Sequence, residues 1–248
     1  FGPLAVGDIN GDGAPDVVVS SVFYYPSSVG GILLGHGDGT LGPFTTFTTV
    51  DEPDSLVIAD LIPDSHADLV SGNGNAATLS VMLGNGDGTF VTATTLSPFL
   101  GTAYTGFALN TVVVSDLNLD GTLDIAFVSQ TTPLYPSLCT VRVWLGGGDG
   151  TFQPSDRISV GHVSTSLDVG DINGDGDPDL AVANDIADTV TVLLGRGDGT
   201  FQSEGNFAAG SSAYVLAVGD MNSDGLSDVV VANEKDDTVS VLLSTCTP

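Results

Sequence analysis

Five aspartate-led loops recur along the chain at nearly constant spacing, and this repeat constrains the fold more than any other feature. The loops begin at Asp8, Asp60, Asp116, Asp171 and Asp220, so successive loops are 52, 56, 55 and 49 residues apart. Sequence periods of this length are typical of arrays in which each unit is one small supersecondary structure. We therefore divide the chain into five units, approximately 1–52, 53–108, 109–163, 164–212 and 213–248.

Each unit has the pattern of four short strands. In the first unit an apolar run precedes the loop, the β-branched run DVVVS follows it at 16–20, and a third apolar run, GILLG, occupies 31–35 before a GDGT turn and a fourth segment. Four antiparallel strands in about 50 residues is typical of a propeller blade, whereas solenoids have shorter periods and a sandwich need not repeat its sequence. The sequence predicts an all-β fold, a β-propeller of about five four-stranded antiparallel blades that form a single domain.

The last unit ends after its third strand, so we expect the last blade to be incomplete. The ring could close with a three-stranded blade, residues could be missing, or a neighbouring molecule could supply the strand. An unpaired strand edge is a template for pairing with another chain. Self-association through the open edge of the last blade is therefore one hypothesis for a partner.

Acidic residues dominate the charge and exclude some partners. Four Lys and Arg oppose 31 acidic residues, which gives a net charge of −27, and 28 of the acids are Asp. Nucleic acid and anionic membrane surfaces are bound through basic patches, which this chain cannot assemble. We also expect no membrane insertion, because no apolar run approaches the roughly 18 residues that span a bilayer. Asp in such excess indicates short carboxylates held in turns, close to their own backbone or to a cation.

The first loop, residues 8–16, has the donor pattern of a calcium site. Side-chain oxygens fall at its positions 1, 3, 5 and 9, and Gly occupies position 6. Calcium takes six to eight oxygen ligands in a forgiving geometry, and the residue at position 7 can add a backbone carbonyl. Gly at position 6 permits the sharp reversal that a Cβ would obstruct. The predicted ligands of this loop are Asp8, Asn10, Asp12, Ala14 and Asp16.

Three further loops repeat this pattern in register. Their predicted ligands are Asp116, Asn118, Asp120, Thr122 and Asp124; Asp171, Asn173, Asp175, Asp177 and Asp179; and Asp220, Asn222, Asp224, Leu226 and Asp228. The second loop keeps Asp60, Asp64 and Asp68 but has Ile62 at position 3 and Ser65 at position 6. We expect it to bind calcium weakly or not at all. The alternative for all five loops is a metal-free Asx turn, which does not require three neighbouring carboxylates.

With these units the chain resembles the FG-GAP/VCBS repeat family, which includes the propeller of integrin α subunits. The resemblance is clearest at 169–201, VGDINGDGDPDLAVANDIADTVTVLLGRGDGTF. Integrin-type propellers have seven blades, whereas this chain has five units. The resemblance implies calcium at the four regular loops, a secreted or cell-surface location, and a role in adhesion, carbohydrate binding or assembly.

Three functions remain open from the sequence. The first is a binding module for a glycan or protein at the cell surface, with Tyr24, Tyr25 and Tyr135 in the variable loops as candidate ligand-binding residues, because an aromatic ring stacks on apolar ligand faces. The second is a structural subunit of an extracellular filament that uses strand exchange. The third is a carbohydrate-active enzyme, although no nucleophile–base arrangement is visible, so we expect no enzymatic activity and name no catalytic residue.

Overall fold

The computed structural model of the chain describes residues 2–20, 29–48, 53–74, 78–97, 107–131 and 138–245. Nineteen β-strands form five antiparallel sheets in these ranges. The first sheet consists of β1 (Leu4–Gly7), β2 (Asp16–Ser20), β3 (Val29–Leu33) and β4 (Thr45–Thr48). The second consists of β5 (Pro53–Ala59), β6 (Asp68–Asn73), β7 (Thr78–Gly84) and β8 (Phe90–Leu96).

The remaining sheets follow the same order. The third consists of β9 (Phe107–Ser115), β10 (Asp124–Thr131), β11 (Leu138–Gly146) and β12 (Phe152–His162). The fourth consists of β13 (Ser164–Gly170), β14 (Asp179–Asn184), β15 (Thr189–Gly195) and β16 (Phe201–Ala208), and the fifth of β17 (Ala213–Gly219), β18 (Asp228–Asn233) and β19 (Thr238–Leu242). Within each sheet every strand pairs with the next in sequence. The predicted propeller blades are thus confirmed, including a last blade that has three strands in the described residues.

The blades pack side by side through their first strands. β1 lies against β5, β5 against β9, β9 against β13, and β13 against β17. Four apolar cores fill the spaces between successive blades, and each core takes side chains from exactly two of them. A middle strand is therefore covered on both faces, which explains why β6 and β14 are buried at every residue.

The outer faces of the first and last blades remain uncovered in the described part of the chain, where no comparable packing joins β17 to β1. Leu4, four residues before the first loop, is 59% exposed, whereas Leu167 at the same position of the fourth unit is 2% exposed. Likewise Val239 of β19 is 65% exposed and its equivalent Val190 is fully buried. The five blades therefore form an open arc. No helix in the described residues is long and apolar enough to cross a bilayer.

Candidate metal centres and ligand site

The aspartate loop of the first blade folds around its own side-chain oxygens. Asp8 Oδ1 accepts a hydrogen bond from the Gly11 N–H at 2.8 Å, and its Oδ2 accepts one from the Gly13 N–H at 2.8 Å. Asn10 Oδ1 accepts from the Asp12 N–H at 3.0 Å, and Asp12 Oδ1 accepts from the Ala14 N–H at 2.8 Å. These hydrogen bonds turn the side chains at positions 1, 3 and 5, which are the predicted metal ligands, towards the inside of one tight turn.

The third, fourth and fifth blades repeat this loop almost atom for atom. In each, the amide oxygen at position 3 accepts from the N–H of position 5, at 2.8–3.0 Å, and the carboxylate at position 1 accepts from the N–H of position 6, at 2.9–3.1 Å. The structure therefore brings the predicted side chains of each loop together. These are Asp116, Asn118 and Asp120; Asp171, Asn173 and Asp175; and Asp220, Asn222 and Asp224.

Position 6 adopts a left-handed backbone in all five loops. The φ angles there are +84° at Gly13, +88° at Gly121, +91° at Gly176 and +90° at Gly225. In the second loop Ser65 takes the same turn, with φ of +67°. Residues with a Cβ rarely adopt this region, so the loop geometry strongly favours Gly at position 6. Ser65 adopts the same backbone conformation under strain.

The aspartate at position 9 of each loop, which we call the closing aspartate, is buried and connects distant parts of its blade. Asp16 Oδ2 accepts from the Ile9 N–H at 2.9 Å, and its Oδ1 accepts from the Gly35 N–H at 2.6 Å, beyond the end of β3. Burial raises the pKa of the closing carboxyls of Asp68, Asp124 and Asp179, and the backbone hydrogen bonds oppose that rise in part. A nearby cation would favour the ionised form of these groups.

The loops contain more carboxylates than the Lys and Arg side chains of this chain could neutralise. Only four Lys and Arg oppose 31 acidic residues, so basic side chains cannot neutralise this many carboxylates. In the described ranges no three acidic, His or Cys side chains form a metal-binding group by themselves. A site would thus need the Asn amide oxygens and main-chain carbonyls as well, which are ligands that calcium accepts. The predicted carbonyl donors are those of Ala14, Thr122, Asp177 and Leu226.

The second loop lacks parts of this arrangement. Ile62 supplies no side-chain oxygen at position 3, and Pro63 has no N–H to donate to Asp60, unlike the residue at position 4 of the first, fourth and fifth loops. Asp64 keeps the hydrogen bond that the regular loops have at this position, since it accepts from the His66 N–H at 2.8 Å, and its other oxygen lies 3.5 Å from the His66 imidazole. The expectation of weak calcium binding here stays a prediction with a clear structural basis.

A depression of about 410 Å³ lies at the opposite end of the inner strands, near the axis of the arc. Blades two to five each contribute one or two residues of their innermost strand to it. Tyr214 is 46% exposed there, and its carbonyl accepts a hydrogen bond from Thr165 Oγ1 at 2.6 Å. The depression thus combines an aromatic ring, hydroxyls and one carboxylate. Its lining residues are Asp54, Thr111, Thr165, Ser166, Tyr214 and Val215.

The tyrosines singled out from the sequence, Tyr24, Tyr25 and Tyr135, lie outside the described residues. Tyr214 was missed because its significance depends on four blades meeting near one axis. The signal for it was present, since an aromatic residue stands at the start of the innermost strand of the fifth unit, where Asp54 and Thr165 stand in the second and fourth.

A family model for the FG-GAP-like repeat matches the chain three times, at residues 60–127, 116–182 and 171–231. The matches overlap and together run through the four loops that begin at Asp60, Asp116, Asp171 and Asp220. The chain belongs to the FG-GAP-like repeat family. A search of curated proteins finds no match to this FG-GAP-like chain.

Solved propeller-like structures resemble the FG-GAP-like chain in fold. One is an Agrocybe aegerita lectin that recognises non-reducing terminal N-acetylglucosamine, with a TM-score of 0.60, 20% identity, and coverage of 96% of this chain and 65% of the lectin. Another is BBS1N in complex with ARL6DN, with a TM-score of 0.59, 13% identity, and coverage of 98% of this chain and 68% of that one. The chain therefore spans slightly less than two thirds of the lectin's length.

Proposed function

We propose that this chain is a calcium-stabilised propeller that acts as an extracellular binding module for a glycan or a protein. The observation that supports this most strongly is the recurrence of one oxygen-rich loop in four blades, on a rigid all-β scaffold with a separate ligand-sized depression. Membership of the FG-GAP-like repeat family agrees with a role in binding.

Calcium is the cofactor we propose for the four regular loops. When bound, it would supply positive charge among carboxylates that otherwise repel one another. Asp8, Asn10 and Asp12 and their equivalents would hold it, and Ile9 and Leu117 anchor the first and third loops in the core, because both are buried. We place the chain outside the cell because its resemblance to the FG-GAP/VCBS family implies a secreted or cell-surface location.

The axial depression is the ligand surface we propose. A sugar ring has one apolar face and a rim of hydroxyls, which suits an aromatic ring beside hydroxyl and carboxylate groups. Tyr214 would stack on the ring, and Asp54 and the hydroxyl of Ser166 would hydrogen-bond the rim. The lectin neighbour makes non-reducing terminal N-acetylglucosamine the first ligand to test. We propose that the chain binds its ligand without converting it, because the clustered carboxylates of the repeats accept hydrogen bonds from the backbone of their own loops and are thereby committed to loop structure.

A glycan array tests this proposal directly. The chain is applied in calcium, in a chelator, and as the variant Tyr214→Ala, and a parallel incubation looks for hydrolysed glycans. We expect binding to one glycan class, loss of at least tenfold in apparent affinity for Tyr214→Ala, and unchanged glycans after incubation. Tyr214→Phe keeps the ring and should retain most of the affinity.

Val91→Ala is the matched control, because Val91 is similarly exposed but lies on β8, the outermost strand of the second blade, away from the axis. Glycan binding that is insensitive to Tyr214→Ala would contradict the proposed surface. A glycan shortened during incubation would favour a carbohydrate-active enzyme over a binding module.

A further inference from the structure

Two threonine hydroxyls of the axial depression have fixed hydrogen-bond directions. Thr165 Oγ1 donates to the Tyr214 carbonyl at 2.6 Å, and Thr111 Oγ1 donates to the Thr165 carbonyl at 3.1 Å. A carbonyl oxygen has no proton, so the threonine is the donor in both pairs. Each threonine hydroxyl has only one proton, and its oxygen therefore meets a ligand as an acceptor.

The same hydrogen bonds join the innermost strands of neighbouring blades. Thr111 of β9 bonds to β13, and Thr165 of β13 bonds to β17. Ser166 has the opposite polarity, because its Oγ accepts from the Leu216 N–H at 3.2 Å and its own proton is left for donation. A ligand that needed either threonine as a donor would have to break a contact between blades.

Acceptors therefore outnumber donors around the depression. The acceptors are the two threonine oxygens and the carboxylate of Asp54, and the donors are the hydroxyls of Ser166 and Tyr214. Among the described residues, none that lines the depression is Lys, Arg or His. The complementary ligand carries more donors than acceptors where it touches the chain, and a positive charge on it is favoured.

Tyr214 and Asp54 both favour a cation. The face of an aromatic ring attracts an ammonium group, and a carboxylate forms a charge-assisted hydrogen bond with it. The chain as a whole adds to this attraction, since its net charge is −27 with only four Lys and Arg. Four bound calcium ions would leave this charge negative. Sugars that carry a carboxylate or a sulfate are correspondingly disfavoured.

We propose that the axial depression selects an amino sugar with a free, protonated amine over the N-acetylated form of the same sugar. This inference rests on the proposed function, because it specifies the ligand of the same surface. An ammonium group has three donors and no acceptor, whereas acetylation removes the charge and adds a carbonyl acceptor. The expected ligand thus differs from the N-acetylglucosamine that the lectin neighbour recognises.

The test compares two tetrasaccharides that differ only in acetylation, β-1,4-linked glucosamine and β-1,4-linked N-acetylglucosamine. Isothermal titration calorimetry measures their binding to the full chain in calcium at about pH 6, where an amine is protonated. We expect the glucosamine tetramer to bind at least tenfold more tightly. Its affinity should fall as salt is added, because salt screens the attraction between charges, and the affinity of the acetylated tetramer should not.

Two variants separate the local carboxylate from the net charge of the chain. Asp54→Asn keeps the size of the side chain and removes its charge, and should weaken binding of the glucosamine tetramer at least tenfold. Glu204→Gln removes an exposed charge from β16, the outermost strand of the fourth blade, and should leave the affinity within twofold. Equal losses in the two variants would show binding to the acidic surface at large and would overturn the proposal.

A third ligand tests whether the sugar ring is needed. The N-acetyl methylamide of lysine carries an ammonium group without a sugar, and should bind at least tenfold more weakly than the glucosamine tetramer, because it offers Tyr214 no ring to stack on. Equal affinity would overturn the assignment to an amino sugar.

Equal or tighter binding of the acetylated tetramer would overturn the inference, as would no binding of the glucosamine tetramer. Neither result contradicts the proposed function, provided that the glycan array shows binding that Tyr214→Ala weakens. The calorimetry therefore decides which sugar the depression selects, and the array decides whether the depression binds glycans.

Discussion

The Asp179 carboxylate joins the aspartate loop of its blade to Gly195 at the end of the third strand. Asp179 Oδ1 accepts a hydrogen bond from the Gly195 N–H at 2.8 Å, while Oδ2 accepts from the Ile172 N–H at 2.9 Å. The other blades have the same bridge from the closing aspartate to a residue at, or two positions beyond, the end of the third strand, at 2.6–2.9 Å. A buried carboxylate with backbone donors on both oxygens fixes the aspartate loop against the turn that follows the third strand.

Asp179→Ala is expected to lower the free energy of unfolding by about 2–4 kcal/mol, since it leaves buried N–H groups without acceptors. Asp179→Asn keeps one acceptor oxygen and should cost about half as much. Urea denaturation in a chelator measures both changes without a contribution from calcium. Glu234→Gln, which removes an exposed carboxylate, is the control and should change stability by less than about 0.5 kcal/mol. A similar loss of stability for Glu234→Gln would show that removal of a carboxylate charge, and not loss of the buried hydrogen bonds, lowers the free energy of unfolding.

A matched pair of leucines tests whether the arc is open at the first blade. Leu167→Ala removes a buried side chain from the core between the third and fourth blades and should cost about 2–5 kcal/mol. Leu4→Ala makes the same change at the equivalent position of the first blade and should cost less than about 1 kcal/mol, because Leu4 is largely exposed. Thermal unfolding of both variants decides the matter. Equal losses would mean that something covers the first blade in solution.

These leucines also show how far the sequence predicted the fold. The 50-residue period, the β-branched runs and the GDGT turns correctly predicted the five blades, the last with three strands in the described residues, because each is a local pattern. Exposure of Leu4 could not be predicted, since its local sequence is that of a buried residue. It depends on whether a neighbouring blade lies beside it.

The same distinction applies to the candidate sites. The donor residues of the four loops lie within nine residues of one another, so spacing alone predicted that they meet. Tyr214 and Asp54 line the same depression only because the arc is curved, which no local pattern encodes. The closing aspartates fall between these cases. Their positions were predicted, but their bridge to the end of the third strand spans 16–22 residues and became visible only in the structure.

The GDGT turns provide a prediction about proton binding. Thr200 Oγ1 donates to Asp198 Oδ1 at 2.6 Å, and this bond holds the pKa of Asp198 below its usual value of about 3.9. The pKa of Asp198 is lower in the folded chain than in the unfolded chain. The ionised carboxylate therefore stabilises the folded chain at pH values above its unfolded pKa, and this contribution is lost as the pH falls through its folded pKa. Thr200→Val should raise the Asp198 pKa, and Thr200→Ser should keep it low. Carboxyl NMR titration compares them, and equal pKa values in the two variants would rule out the hydroxyl as the cause.

Calcium binding should be strong enough to alter stability. Equilibrium dialysis is expected to give four calcium ions per chain, and a chelator should lower the melting temperature. At free calcium of 100 times the dissociation constant, each site adds about 2.7 kcal/mol. Asp120→Ala should reduce the count to three, while Asp64→Ala in the second loop should leave it at four. A melting temperature that is indifferent to the chelator would favour metal-free Asx turns.

The second loop allows the donor pattern to be tested by repair. Ile62→Asn restores the amide oxygen at position 3, Pro63→Gly restores an N–H for Asp60, and Ser65→Gly relieves the left-handed strain at position 6. The triple variant should bind one more calcium ion than the parent chain, for a total of five. Ser65→Gly alone serves as the control, because it changes the backbone preference without adding a ligand, and should leave the calcium count unchanged. If the triple variant gains stability in a chelator but no ion, the repeated side chains serve the turn itself rather than a metal.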